Sequence, residues 1–179
     1  MNQPEFSRPV RLDTLGSRPH ALSIDADAEE RAAIARRFGL VEIDHLAAEA
    51  ELTRTGDTIR AQGRLSARVT QSCVATGLPV PETVEEEFAI DFRPEHASGV
   101  PDEEIELSEG ELDVVFYSGG AVDLGEAVAE SLSLALDPFP RAADAELALQ
   151  QAGVKSEEQA KAESSPFAGL AGLKDRLGQ

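Results

Sequence analysis

Alternation of apolar and polar residues in the middle of the sequence constrains the fold more than any other feature. In the segment 46–52 the even-numbered positions are apolar: Leu46, Ala48, Ala50 and Leu52. From 59 to 69 the odd-numbered positions are apolar: Ile59, Ala61, Leu65, Ala67 and Val69. Successive side chains of a strand point to opposite faces, so each segment predicts a strand with one buried face.

The residues around these segments predict how the strands are joined. Thr55-Gly56-Asp57 is a turn sequence between the two alternating segments and predicts a hairpin. A third strand is predicted over Val84 to Phe92, although Glu86 interrupts its apolar face. Val114 to Tyr117 predicts a further, brief strand.

Helix start and stop signals lie on both sides of the predicted sheet. Asp27 with Glu30 forms a capping box, and Gly39 supplies a left-handed stop. A second capping box is predicted from Asp123 with Glu126, at the start of an apolar stripe that ends before Pro138. A third helical stretch is predicted over 142–152.

These elements predict an α+β fold: a curved antiparallel β-sheet flanked by helices, with a flexible C-terminal tail. The sequence leaves open whether the sheet closes into a barrel. We expect one domain over 1–152. The polar residues 153–165 predict a mobile linker. The segment after it is a candidate docking segment, because it has apolar residues at helical spacing: Phe167, Leu170, Leu173 and Leu177.

Negative charge is concentrated in the centre of the chain. Residues 69–140 contain 17 acidic residues and one basic residue, Arg93, whereas the rest of the chain is nearly balanced. Such a surface repels phosphate backbones, so we expect no DNA binding and no direct binding of naked RNA through this region. It suits a basic protein partner, and it also suits solubility alone.

A stripe of arginines, Arg60, Arg64 and Arg68, follows the polar face of the second predicted strand. If the third strand is its antiparallel neighbour, these arginines face a row of carboxylates and form cross-strand ion pairs. The alternative is an RNA-facing stripe.

Signatures of catalysis and metal binding are missing from the sequence. It contains no phosphate-binding glycine loop, no HExxH pair and no GxSxG elbow. His20, His45 and His96 lie in separate segments without ligand spacing, and the acidic residues 102–106 lack the pattern of a calcium loop. We therefore expect no enzyme activity, no cofactor and no metal.

Location in the cell is predicted from two observations. No apolar run with basic flanks opens the sequence, and no stretch is long enough to span a membrane, so the sequence predicts a cytoplasmic protein that does not bind membranes. Cys73 is the single cysteine, which agrees with a reducing compartment. It is predicted to be a small buried residue at a strand end.

Two segments together resemble the YceD-like family of bacterial proteins. Cys73 and Thr76 stand where the family often has a Cys-x-x-Cys pair, so any zinc or redox role of that pair does not carry over. The predicted strand 84–92 matches the acidic-then-aromatic strand that follows this pair in the family. The second segment matches the family pattern with these residues: Asp123, Leu124, Glu126, Glu130, Leu134, Leu136, Pro138 and Pro140. The resemblance covers about 52–140, and Pro166-Phe167 also resembles the ending of proteobacterial members.

The resemblance implies a bacterial, non-catalytic ribosome-biogenesis factor that supports accumulation of 23S rRNA and assembly of the large subunit. The expected partner is a basic ribosomal protein or a large-subunit precursor. The residues expected to face it are these: Asp102, Glu103, Glu104, Glu106, Glu109, Glu111, Glu130, Phe167, Leu170 and Leu173.

Two other functions stay open on the sequence. Genes for phospholipid synthesis often lie beside those of the family, which suggests an adaptor or regulator of phospholipid or fatty-acid synthesis. An RNA-processing enzyme that uses carboxylate-bound magnesium is the remaining alternative.

Overall fold

A computed structural model describes residues 4–95 and 113–154 of the 179-residue chain. The strands are β1 Pro9–Arg11, β2 His20–Asp25, β3 Glu42–Thr55, β4 Thr58–Ser72, β5 Pro79–Pro94, β6 Asp113–Tyr117 and β7 Ala121–Asp123. The helices are α1 Ala28–Phe38, α2 Leu124–Ala135 and α3 Ala145–Gln151, with a 3-10 turn at Leu12–Thr14. The α+β class predicted from the sequence is confirmed.

The main sheet has the strand order β2-β3-β4-β5-β6. The first four strands are antiparallel neighbours, but β6 pairs parallel to β5, from Ile90 opposite Asp113 to Pro94 opposite Tyr117. The expectation of a purely antiparallel sheet is therefore wrong at this edge. A parallel pair needs a longer connection than a hairpin turn, and residues 95–112 supply it.

The sheet is open within residues 4–95 and 113–154, because β2 and β6 each pair with one neighbour in it. This excludes the barrel that the sequence left open. A separate two-stranded sheet joins β1 to β7. Residues 155–179 of the predicted tail 153–179 lie outside the described residues, and the boundary between 152 and 153 stays a prediction.

The predicted hairpin is confirmed in its register. Thr55 pairs with Thr58, so the loop contains only Gly56 and Asp57, and Gly56 has a positive φ of 63°. Every apolar residue on the predicted inner faces of β3 and β4 is buried, with at most 4% of its surface exposed. On β5 the inner face is buried at Val84, Phe88, Ile90 and Phe92, whereas Glu86, in phase with them, stays exposed.

Two helices cover the buried face of the sheet. Helix α1 packs against β3, and α2 packs against β4 and β5. The largest fully buried side chains come from both layers and from the N-terminal segment: Phe6, Phe92, Ile34, Leu46, Leu52, Ile59, Leu65, Leu124, Leu132, Val69, Val122 and Val128.

Helix α1 has the predicted ends. The Asp27 carboxylate accepts from the N–H groups of Glu29 and Glu30, the Glu30 carboxylate accepts from the N–H of Asp27, and Gly39 closes the helix at φ 69°. In the described residues no helix is long and apolar enough to cross a membrane.

Gly63 allows β3 and β4 to approach each other closely. A Cβ atom at this position would overlap the carbonyl oxygen of Glu49 on the neighbouring strand. We therefore expect Gly63→Ala to lower the free energy of unfolding by about 1–3 kcal/mol, the usual cost of overpacking. Urea unfolding of the purified protein measures this loss.

Gly16→Ala is the matched control, since a Cβ there meets nothing within 4 Å. It should change stability by less than about 0.5 kcal/mol. Equal stability of the Gly63 and Gly16 variants would contradict the close approach of the two strands.

Candidate functional site

The carboxylate of Asp123 joins the start of α2 to the N-terminal segment. Its Oδ1 accepts from the backbone N–H of Arg8 at 2.8 Å and of Glu126 at 3.2 Å, and its Oδ2 accepts from the Ser7 hydroxyl at 2.5 Å. One side chain therefore caps the helix and holds residues more than a hundred positions away. Gly125 lies so close to the carbonyl oxygen of Phe6 that a Cβ would overlap it.

The Glu126 side chain differs from the sequence prediction. Instead of completing a capping box, its carboxylate forms a two-point ion pair with Arg37 of α1, at 2.8 Å and 3.0 Å. Arg37 also contacts Glu5 at 3.1 Å. Hydrogen bonding to Glu126 raises the pKa of Arg37 above its ordinary value, despite partial burial of the guanidinium. The pair ties α1 to α2, so Glu126 serves the fold.

Glu130 and Leu134 lie one turn apart on the outer face of α2. Leu134, which matches the family pattern, is 78% exposed. Glu130 is exposed and has no ion-pair partner among the described residues. Partial desolvation raises the pKa of Glu130, and the neighbouring charge of Glu126 adds to the effect. Neither side chain contributes to the core.

Cys73 connects the β4–β5 turn to the chain that follows α2. The thiol is buried, and its sulfur accepts from the backbone N–H of Ala142 at 3.3 Å. Beside it, the N–H of Val74 donates to the carbonyl of Pro140 at 2.9 Å. The Ala142 N–H, with the Thr76 hydroxyl next in effect, lowers the pKa of Cys73 to about 7. The prediction that Cys73 is a small buried residue at a strand end is confirmed.

A buried glutamine makes a second connection between the same two parts of the chain. Gln71 is 8% exposed, and its amide donates to the Glu82 carboxylate at 2.7 Å and to the carbonyl of Asp137 at 3.0 Å. The other oxygen of Glu82 accepts from the N–H of Asp137 at 3.3 Å. The two segments that carry the family resemblance are therefore joined at one end of the molecule, which we call the motif end.

Large apolar side chains are exposed at the motif end. Val74 and Leu78, in the β4–β5 turn, are 55% and 46% exposed, and Phe139, after α2, is 72% exposed. With Leu134 they define what we call the apolar patch: Val74, Leu78, Leu134 and Phe139. The pattern residue Pro140 is buried, and Leu136 is half-buried against the core.

The arginine stripe forms the predicted cross-strand ion pairs at two of its three positions. Arg60 pairs with Asp91 and Arg64 with Glu87, each at 2.9 Å between residues directly opposite in the sheet. Arg68 is opposite Thr83 instead. The Arg60 guanidinium lowers the pKa of Asp91, which is 5% exposed.

A wide groove of about 950 Å³ crosses the outer face of the sheet near Arg64, but none of its lining residues belongs to the family pattern. Nor does the described part of the chain contain a group of three or more His, Cys, Asp or Glu side chains placed to hold a metal ion.

Nine of the ten residues predicted to face a partner lie outside the described residues: the six carboxylates of 102–111, and Phe167, Leu170 and Leu173. The structure places only Glu130. Sequence reasoning missed Arg37, Gln71 and Glu82 as positioning residues, and also the exposed Val74 and Phe139. No local pattern marks the three polar residues, because their partners are distant in sequence.

Comparison with family models identifies the chain. The model described as "Large ribosomal RNA subunit accumulation protein YceD" matches residues 61–174, more than half of the chain. The chain belongs to the YceD family. The family is named for accumulation of ribosomal RNA rather than for a reaction. No curated protein and no solved structure matches the chain.

The capping role of Asp123 has a matched control in the chain itself. Asp144 occupies the same position at the start of α3 but makes no capping hydrogen bond with its side chain. We expect Asp123→Ala to lower the free energy of unfolding by about 2 kcal/mol, because a cap and two further hydrogen bonds are lost. Asp144→Ala should stay within about 0.5 kcal/mol. Thermal or urea unfolding measures the stability of both variants. Equal losses of stability would contradict the capping role of Asp123.

The raised pKa of Glu130 predicts a dependence of stability on pH. A carboxylate whose pKa is higher in the folded state disfavours folding when it is ionised, so Glu130→Gln should raise the Tm at neutral pH. This advantage should shrink as the pH falls through the raised pKa, and should vanish below the ordinary glutamate range. Thermal unfolding of variant and wild type at several pH values measures the difference; a gain that does not change with pH contradicts the argument.

Proposed function

We propose that this YceD-family chain is a non-catalytic biogenesis factor that supports accumulation of 23S rRNA and assembly of the large ribosomal subunit. It would act by binding a basic ribosomal protein or a large-subunit precursor. The observation that carries the proposal is the match of the family model over residues 61–174. The remaining support comes from the charges of the described surface.

The sheet surface favours a basic protein over naked RNA. Arg60 and Arg64 are already paired with carboxylates, so their charge is partly neutralised before any phosphate approaches. On the same face, Glu49, Glu51 and Glu85 form no ion pair with any residue of the described ranges. An excess of unpaired carboxylates attracts Lys-rich and Arg-rich surfaces and repels phosphate.

The connection between β5 and β6 supplies the densest negative charge. Both ends of this connection are fixed by the parallel pair of strands and by the hydrogen bond from the N–H of Glu95 to the carbonyl of Tyr117 at 2.8 Å. The residues proposed to face the partner there are Asp102, Glu103, Glu104, Glu106, Glu109 and Glu111. Glu130 on α2 and the segment with Phe167, Leu170 and Leu173 complete the proposed surface.

The first test is sucrose-gradient fractionation of extracts from wild-type cells and from cells that lack the protein. We expect it to migrate with large-subunit precursors at low salt, and we expect cells without it to show a deficit of large subunits. Migration only at the top of the gradient, with normal subunit profiles, contradicts the proposal. Co-purification with lipid-synthesis enzymes would then favour the adaptor role.

The contribution of charge is tested by a loop variant with Asp102, Glu103 and Glu104 replaced by lysine. We expect its association with precursors at moderate salt to fall by about tenfold, because carboxylates that attract the partner become repulsive. The matched control replaces Glu157, Glu158 and Glu163, which precede Phe167, by lysine. Equal association of the two variants would contradict the electrostatic part of the proposal.

A further inference from the structure

The apolar patch lies where two distant parts of the chain are held together. The N–H of Val74 donates to Pro140, and the sulfur of Cys73 accepts from Ala142, so the β4–β5 turn is fixed beside the residues that follow Phe139. Leu78 is fixed in the same turn, since its carbonyl accepts from the N–H of Cys73 at 2.8 Å. These contacts involve only described residues, and they place apolar side chains from both parts at the motif end.

None of the four side chains of the patch is buried, so packing in the core does not account for them. Their exposed fractions range from 46% to 78%, although each belongs to a segment anchored by hydrogen bonds or helical structure. Single exposed apolar residues are ordinary, whereas several large ones gathered at one end of a fold are typical of a protein-interaction surface. Leu134 and Phe139 are the most exposed of the four: Leu134 is in the last turn of α2, and Phe139 lies four residues beyond its end.

Three acidic side chains lie beside the patch. Glu130 lies one turn before Leu134, and Asp137 is two residues before Phe139, whose N–H it accepts at 2.8 Å. Glu82 is held against Asp137 through Gln71. Arg141 is the nearest basic residue in sequence, and residues 69–154 contain only one other, Arg93. An occupant of this surface therefore has to bring apolar side chains together with positive charge.

We propose that the apolar patch is the docking surface for an amphipathic, Lys-rich or Arg-rich segment of a protein partner. This inference rests on the proposed function and gives the described part of the chain a site for the basic partner. Apolar residues of the segment would cover Leu134 and Phe139, and its basic residues would meet Glu130, Asp137 and Glu82. Contact of this kind combines desolvation at the centre with charge complementarity at the rim.

Other occupants fit the surface less well. A second copy of the chain would bring the same acidic rim against itself, which is repulsive in a two-fold interface. Nucleic acid and anionic membrane surfaces are repelled by the same carboxylates.

Site-specific photo-crosslinking tests the inference in cells that contain no other version of the protein than the full-length chain under test. A photoreactive amino acid replaces Leu134, and in the control it replaces Val41, which is 58% exposed at the opposite end of α1 from the Asp27 cap. We expect position 134 to crosslink to a basic protein of the large subunit at least about tenfold more than position 41. Adding Val74→Ser and Leu78→Ser should abolish the product.

Three results would overturn the inference. Equal crosslinking from positions 134 and 41 would show that the patch is not a docking surface. Crosslinks to residues 166–177 of the same chain would assign the patch to its own C-terminal segment. Crosslinks to a protein without excess positive charge would refute the stated chemistry.

A gradient experiment separates this inference from the proposed function. The double variant Leu134→Ser with Phe139→Ser should lose association with precursors, whereas Val41→Ser should keep it. Because these side chains are exposed, thermal unfolding should show that all the variants stay folded. If both the wild type and the double variant migrate with precursors, the docking role of the patch is contradicted but the proposed function is not. If the wild type never migrates with precursors, the proposed function itself fails.

Discussion

The position of α2 depends on the Asp123 carboxylate, and much of the molecule depends on α2. By capping the helix and binding Ser7 and Arg8, Asp123 determines where the first turn begins and fixes the N-terminal segment across it. The helical repeat then directs Leu124, Val128 and Leu132 into the core and leaves Glu130 and Leu134 outside. One cap at the start of the helix thus determines which side chains its last turns present to solvent.

The family pattern divides into two groups once it is seen on the structure. Asp123, Leu124 and Glu126 hold the helix in place through a cap, the core and an ion pair with Arg37. Pro140 lies where the chain turns back to meet Val74. Glu130 and Leu134 have no such structural role within the described part of the chain. The pattern therefore contains two kinds of residue: those that hold α2 and the chain after it in place, and those whose side chains are exposed on α2.

Local sequence predicted those elements whose signals are local. Alternation located β3, β4 and most of β5, and caps located α1 and α2, because both patterns arise from neighbours in the chain. Strands β1 and β7 were missed because three residues are too few for periodicity, and β2 was missed although Leu22 and Ile24 alternate. The direction of β6 depends on the route of residues 95–112, which no local signal encodes.

The candidate site was less predictable than the fold for the same reason. Ion pairs of Arg60 and Arg64 followed from strand alternation once the strands were assumed to be neighbours. The bonds of Gln71 and of Glu126 span 66 and 89 positions in the chain, and only tertiary packing creates them. Exposure of Leu134 and Phe139 is likewise invisible in a sequence where leucine and phenylalanine ordinarily indicate a core.

The β4–β5 turn contains one cysteine, Cys73, and this has a consequence for how the turn keeps its shape. Its closure comes from backbone bonds between Cys73, Gly77 and Leu78, with Thr76 accepting from the N–H of Leu78 at 3.3 Å. A single thiol at this turn supplies neither a disulfide nor a four-ligand zinc site. Closure of the turn by hydrogen bonds thus requires neither a bound zinc ion nor a disulfide.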